Sequence, residues 1–151
     1  MQDHAYLFSG LRNAPHELVH ILAEMPDELE HEPLAKGEWS PHQIVSHLEA
    51  VNREVYRVRL QRILDETNPA FEDFDEKAWM AVHYLPSVPM DELVAEFTDL
   101  CDEAAEWLEA LPDEAWERPG THPTRGTHTL EWWADRMEAH VTEHLAQLRG
   151  E

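Results

Sequence analysis

The sequence predicts an all-α fold, a four-helix bundle, on three observations. Four stretches repeat apolar residues at helical spacing, no run alternates apolar and polar residues over the length of a strand, and the ten prolines cluster between the helical stretches. Helices striped on one side must bury those stripes against one another. The 151 residues suit one domain spanning residues 1–151, long enough to bury a proper core.

In the first stretch Leu7, Leu11, Ala14, Leu18, Ile21 and Met25 are spaced by alternating fours and threes, the stripe of an amphipathic helix. Pro15 falls inside it and is an expected point of kinking or breakage. The second helix opens at Ser40-Pro41-His42-Gln43, where Ser40 caps, Pro41 takes the first helical position and Gln43 completes a capping box. Ile44, Val51, Val55 and Val58 mark its face as far as about Asp65, and Asn68-Pro69 ends it.

The connector FEDFDEKAWMAVHYLPSVP has room for a short helix. Leu93, Phe97, Leu100, Ala104, Leu108 and Leu111 then define a third long helix, closed by Pro112. After a turn-rich loop, ERPGTHPTRGTH, Thr129 is the N-cap of a last helix striped by Leu130, Trp133, Met137, Val141, Leu145 and Leu148. Of the six tryptophans, Trp107 and Trp133 fit helix stripes, while Trp39, Trp79, Trp116 and Trp132 are expected over bundle ends or an interface.

Eleven Lys and Arg against 32 Asp and Glu give a formal charge of −21, which repels a phosphate backbone and an anionic membrane. No apolar run approaches a membrane span, and the N-terminus lacks the basic-then-apolar order of a signal peptide. A soluble, cytoplasmic protein with a small-molecule substrate is the expectation. The single cysteine, Cys101, fits a reducing compartment and reads as a small apolar helix residue. A homodimer is compatible with the striped helices, which could equally all be used within one monomer.

Two HxxxH pairs stand out among eleven histidines. His16-Glu17-Leu18-Val19-His20 matches the zinc-protease pattern HExxH, yet at 100° per residue both histidines lie opposite the Leu7, Leu11, Leu18 stripe and face solvent. No extended HExxHxxGxxH pattern follows, so these read as surface histidines. His140 and His144 have the same spacing but share a stripe with Trp133, Met137 and Leu148, which points them inward. His47, between Ile44 and Val51, also lies beside a buried face. Three inward imidazoles are either ligands of one divalent ion or core histidines bonded to carboxylates and carbonyls.

The segments WSPHQIVSHLEAVNREVY, NPAFEDFDE and GTHTLEWWADRMEAHVTEHLAQL, in that order, resemble the DinB-like family, including its YfiT-like branch of proposed metalloenzymes. The similarity covers nearly the whole chain. It departs at Val141, where many relatives carry Asp, and in the tryptophan-rich segment around Trp132 and Trp133. The resemblance implies an up-down-down-up bundle and a divalent metal held by His47, His140 and His144. It also implies metal-dependent chemistry, either hydrolysis or transfer involving a low-molecular-weight thiol as cosubstrate.

Three protein ligands leave a coordination position open, as catalytic sites do, and imidazole suits zinc or nickel. No general acid or base is assigned: Glu143 lies about 100° around the helix from its neighbours and points away. His122 and His128 read as solvated loop histidines. A noncatalytic metal-binding or interaction module is the alternative.

Overall fold

The computed structural model describes residues 3–151. Met1 and Gln2, which the single-domain expectation includes, lie outside them. The helices are α1 (Ala5–Ala23), α2 (Pro41–Val51), α3 (Arg57–Asp65), α4 (Glu76–His83), α5 (Met90–Glu109) and α6 (Leu130–Leu148). α2 and α3 form one rod joined by a π-helical segment, Asn52–Tyr56.

The starts follow the expected local chemistry. Ser40 Oγ accepts from the Gln43 amide while the Gln43 side chain accepts from the Ser40 amide, and Pro41 opens α2. Thr129 Oγ1 accepts from the Trp132 amide at the head of α6. Pro15 does not break α1, which runs unbroken past it with the ring buried. The expected short helix in the connector is α4, capped by Asp75.

Four rods pack cyclically, α1 and the α2–α3 rod each touching both α5 and α6. Two core clusters, one at each end, set the directions. At one end Leu7 and Leu11 of α1 meet Leu60 and Ile63 of α3, Ala105 and Leu108 of α5, and Leu130, Trp133 and Met137 of α6. At the other, Ala14 and Leu18 meet Ile44 and Leu48 of α2, Leu93 and Phe97 of α5, and Val141 and Leu145 of α6. α1 and α6 therefore run one way and the α2–α3 rod and α5 the other, which is a four-helix bundle of up-down-down-up topology. The parallel step from α3 to α5 requires the long connection that carries α4.

Three expectations change. Val58 is 47% exposed, because the π segment inserts one residue and rotates the following stripe onto Tyr56, Leu60 and Ile63. In α5 the fully buried line runs Leu93, Phe97, Cys101, Ala105 and Leu108, leaving Leu100, Ala104 and Leu111 half-buried beside it. The loop before α6 also holds a two-stranded antiparallel hairpin, β1 (Pro119–His122) and β2 (Gly126–Thr129). Its strands are too short for side-chain alternation to announce them, and the pairing is made by backbone. Gly126 supplies the φ of +84° that starts β2. At Gly120 a Cβ would sit 2.7 Å from the Phe71 ring, so the hairpin lies flush on the core. Among the described residues no helix is long and apolar enough to cross a membrane.

Candidate metal centre

His47 is 1% exposed on α2, and His140 and His144 are half-buried on the facing side of α6. Their candidate ligand atoms all lie within 4.8 Å of one another. The packing of α2 against α6 makes this meeting, since the two elements are 93 residues apart at His47 and His140. Trp39, just ahead of the Ser40 cap, lies 4.8 Å from the His47 ring and covers it. The second motif pair behaves as expected: His16 and His20 are exposed, and among the described residues His20 reaches Glu24, at 3.5 Å.

The Nε2 atoms of His47 and His140 face each other at 3.1 Å. Burial pushes both rings down to about 3, with the neighbouring His144 adding to the shift, so both are neutral at ordinary pH. Two neutral imidazoles can share one proton across that gap, and His140 Nδ1 is then buried without a hydrogen-bond partner among the described residues. His144 Nδ1 lies 2.9 Å from the amide oxygen of Gln147. An amide oxygen only accepts, so Nδ1 carries a hydrogen, and in the neutral ring this leaves Nε2 as the bare lone pair. The neutral His47 and His140 rings, whose Nε2 atoms face each other beside the His144 ring held by Gln147, suit imidazole donors to a divalent ion, while His140 Nδ1 is the nitrogen of that ring turned away from the Nε2 pair.

Sequence reasoning missed several groups around this cluster. The Glu76 carboxylate, at the head of α4, comes within 3.3 Å of His47 Nε2. Its place in the NPAFEDFDE connector was visible, but its approach to His47 depends on the crossover folding back. The π segment turns Tyr56 inward to lie 5.8 Å from the His140 ring, where a regular helix would have presented Val55 and Val58. His122, expected to be solvated, is buried at the end of β1. Its Nδ1 accepts from the amides of Thr124 and Arg125, both at 3.2 Å, so Nε2–H donates to Asp73, at 3.3 Å. His128 stacks on Trp132 at 3.7 Å and stays half-buried. Glu143 is exposed and turned away, as expected.

A cleft of about 120 Å³ opens onto His140, walled by Tyr56, Arg59, Glu76, His122, Arg125 and Arg136 among others. Cys101 offers no nucleophile: it is fully buried, and burial pushes its thiol up to about 12.

The chain and its fold are similar to those of known proteins. The chain is 28% identical over 141 residues to YfiT of Bacillus subtilis, named as a candidate metal-dependent hydrolase, covering 88% of this chain and 79% of that protein. A similarly named Bacillus licheniformis protein is 26% identical over 141 residues, covering 93% of this chain and 80% of its own. The solved structure of Bacillus subtilis YfiT, described as a four-helix bundle of unusual topology, superposes with a TM-score of 0.76 at 27% identity, over 96% of this chain and 86% of that one. TT2238, a four-helix bundle protein, shares the fold at a TM-score of 0.66 and 19% identity, over 99% of this chain and 100% of its own. The sequence pattern of the DinB superfamily matches residues 11–148, and the chain belongs to that superfamily.

Proposed function

We propose that this protein is a metal-dependent enzyme acting on a small molecule, with His47, His140 and His144 holding one divalent ion, zinc or nickel. One observation carries the reading: three imidazoles from two helices converge within 4.8 Å, and one of them opens onto a cleft. The names of the relatives support it. The formal charge of −21 suits a small-molecule substrate better than nucleic acid.

Bound there, the ion would leave a position open for water, whose pKa it would lower toward about 7, or for a thiol, which it would hold as the thiolate. The chain's own residues do the rest. Glu76, half in solvent and 3.3 Å from His47 Nε2, takes up the released proton at its carboxylate. Gln147 holds the His144 ring in the tautomer that leaves Nε2 bare. Trp39 keeps bulk water off His47. In a hydrolase the nucleophile is water; in an S-transferase it is a low-molecular-weight thiol, which a cytoplasmic setting would supply. The same residues serve both.

The test is metal content by mass spectrometry on untagged protein, followed by turnover of an activated ester, and of an electrophile plus thiol, by zinc- or nickel-loaded protein. One equivalent of metal and turnover of either substrate, both lost in His47→Ala, is expected. Metal without turnover of either would leave a noncatalytic metal-binding module, and no metal after reconstitution would remove the reading.

A further inference from the structure

In a chain with 32 acidic residues, the expected place for a cation is a surface ion pair, and Arg12, Arg53, Arg57, Arg62 and Arg149 occupy such pairs. The cleft beside His140 departs from this pattern. Arg59 of α3, Arg125 of the hairpin turn and Arg136 of α6 all line it. Among the described residues neither Arg59 nor Arg125 has a carboxylate oxygen within 4.0 Å. Arg59 gives one N–H to the Glu72 carbonyl and is held between the Phe71 and Trp133 rings, 5.5 Å from each centroid. Arg136 reaches Glu143 only at 3.8 Å, and its Nε is buried without a partner. Burial holds Arg59 below its usual pKa, and the Arg125 charge contributes in the same direction.

Folding gains little from three guanidinium groups collected in this way, because among the described residues only Arg136 of the three has a carboxylate oxygen within 4.0 Å and Arg59 is partly desolvated. They do form a receptor for an anion, since guanidinium matches the planar, two-oxygen geometry of a carboxylate. Two carboxylates, Asp73 and Glu76, also line the cleft. Glu143, 3.8 Å from Arg136, is a third carboxylate at the margin, so the surroundings carry no large positive excess, which suits a monoanion better than a phosphate dianion. The cleft shares Val55, Arg59, Asp73 and Phe74 with a wider trough lined by Val58, Phe71 and Trp79 but also by Glu54, Glu72, Asp75 and Arg62, which gives the remainder of a ligand a mixed apolar and polar path outward.

We propose that the substrate is a small carboxylic acid, its carboxylate gripped by Arg59, Arg125 and Arg136 while its reacting end meets the histidine cluster. The second half rests on the metal-dependent reading above; the grip itself does not.

Ligand-observed NMR with butyrate, its neutral isostere butyramide and inorganic phosphate tests it, on both metal-free and zinc-loaded protein. Butyrate is expected to bind both forms and butyramide neither. Arg125→Gln, at an exposed turn outside the core, should weaken butyrate about tenfold, Arg125→Lys should restore part of the loss, and Arg59→Gln should weaken it further. Zinc content should stay unchanged in all three variants. Equal binding of butyrate and butyramide, or tighter binding of phosphate, would overturn the proposal. So would butyrate binding that survives both glutamine variants and vanishes without zinc, since the anion would then sit on the metal. Wild-type protein that takes up butyrate but no metal would support the arginine grip while removing the metal-dependent reading.

Discussion

α1 and α6 each carry two histidines one helical turn apart, with a glutamate between them, and only the pair on α6 meets a third imidazole. On α1 the stripe of Leu7, Leu11 and Leu18 leaves His16 and His20 on the opposite, exposed face, where His20 meets the exposed Glu24 carboxylate. On α6 the histidines share the side of Met137 and Leu148, and the packing of α2 brings His47 across to them. Identical spacing thus yields a surface pair in one place and a preorganised cluster in the other. The helical face decides, because only a desolvated face keeps rings such as those of His47 and His140 neutral and holds them in place.

The largest test of that contrast is metal uptake. His140→Ala and His144→Ala should each drop from about one bound equivalent to none, while a His16→Ala/His20→Ala variant keeps the full equivalent, read by mass spectrometry. Metal lost from the α1 variant would erase the distinction. Next comes the carboxylate beside each pair. Glu76→Gln should retain metal and lose about a hundredfold or more in turnover, whereas Glu17→Gln, inside the HExxH sequence, should change neither.

Acidification of the metal-free chain gives a third, smaller separation. His47 and His140 are pushed down to about 3, below the usual value near 6.5 that they regain on unfolding. Between those values the unfolded chain binds more protons, so their contribution is complete above about pH 6.5 and declines as pH falls toward about 3. Thermal melts should show a falling midpoint below about pH 6.5 in wild type, and a flatter profile in His47→Gln. The smallest effect is at the cap: Ser40→Ala should cost about 1 kcal/mol in denaturant melts by freeing the amide at the start of α2.

Much of the fold was legible because it is written in local chemistry. The Ser40 box, the Thr129 cap, the α6 stripe and the inward turn of His140 and His144 depend on residues within a turn or two of each other, and each is found as read. The exposure of His16 and His20 followed from the same periodicity. What the periodicity could not carry is the π segment, where one extra residue put Tyr56 inward and Val58 outward. That insertion leaves no mark in a hydrophobic pattern, because its stability comes from neighbouring rods.

The hairpin was equally hidden, its four-residue strands held by backbone pairing and by contact of Gly120 with Phe71. Through it His122 and Arg125 reach the cleft, and through the crossover Glu76 reaches His47. By itself the sequence determined the four long helical stretches, the Ser40 and Thr129 caps and the inward facing of His47, His140 and His144, since these follow from short-range spacing and solvation. Only the tertiary structure decided which carboxylate, phenol and guanidinium groups join them, because those contacts arise where segments distant in sequence are packed together.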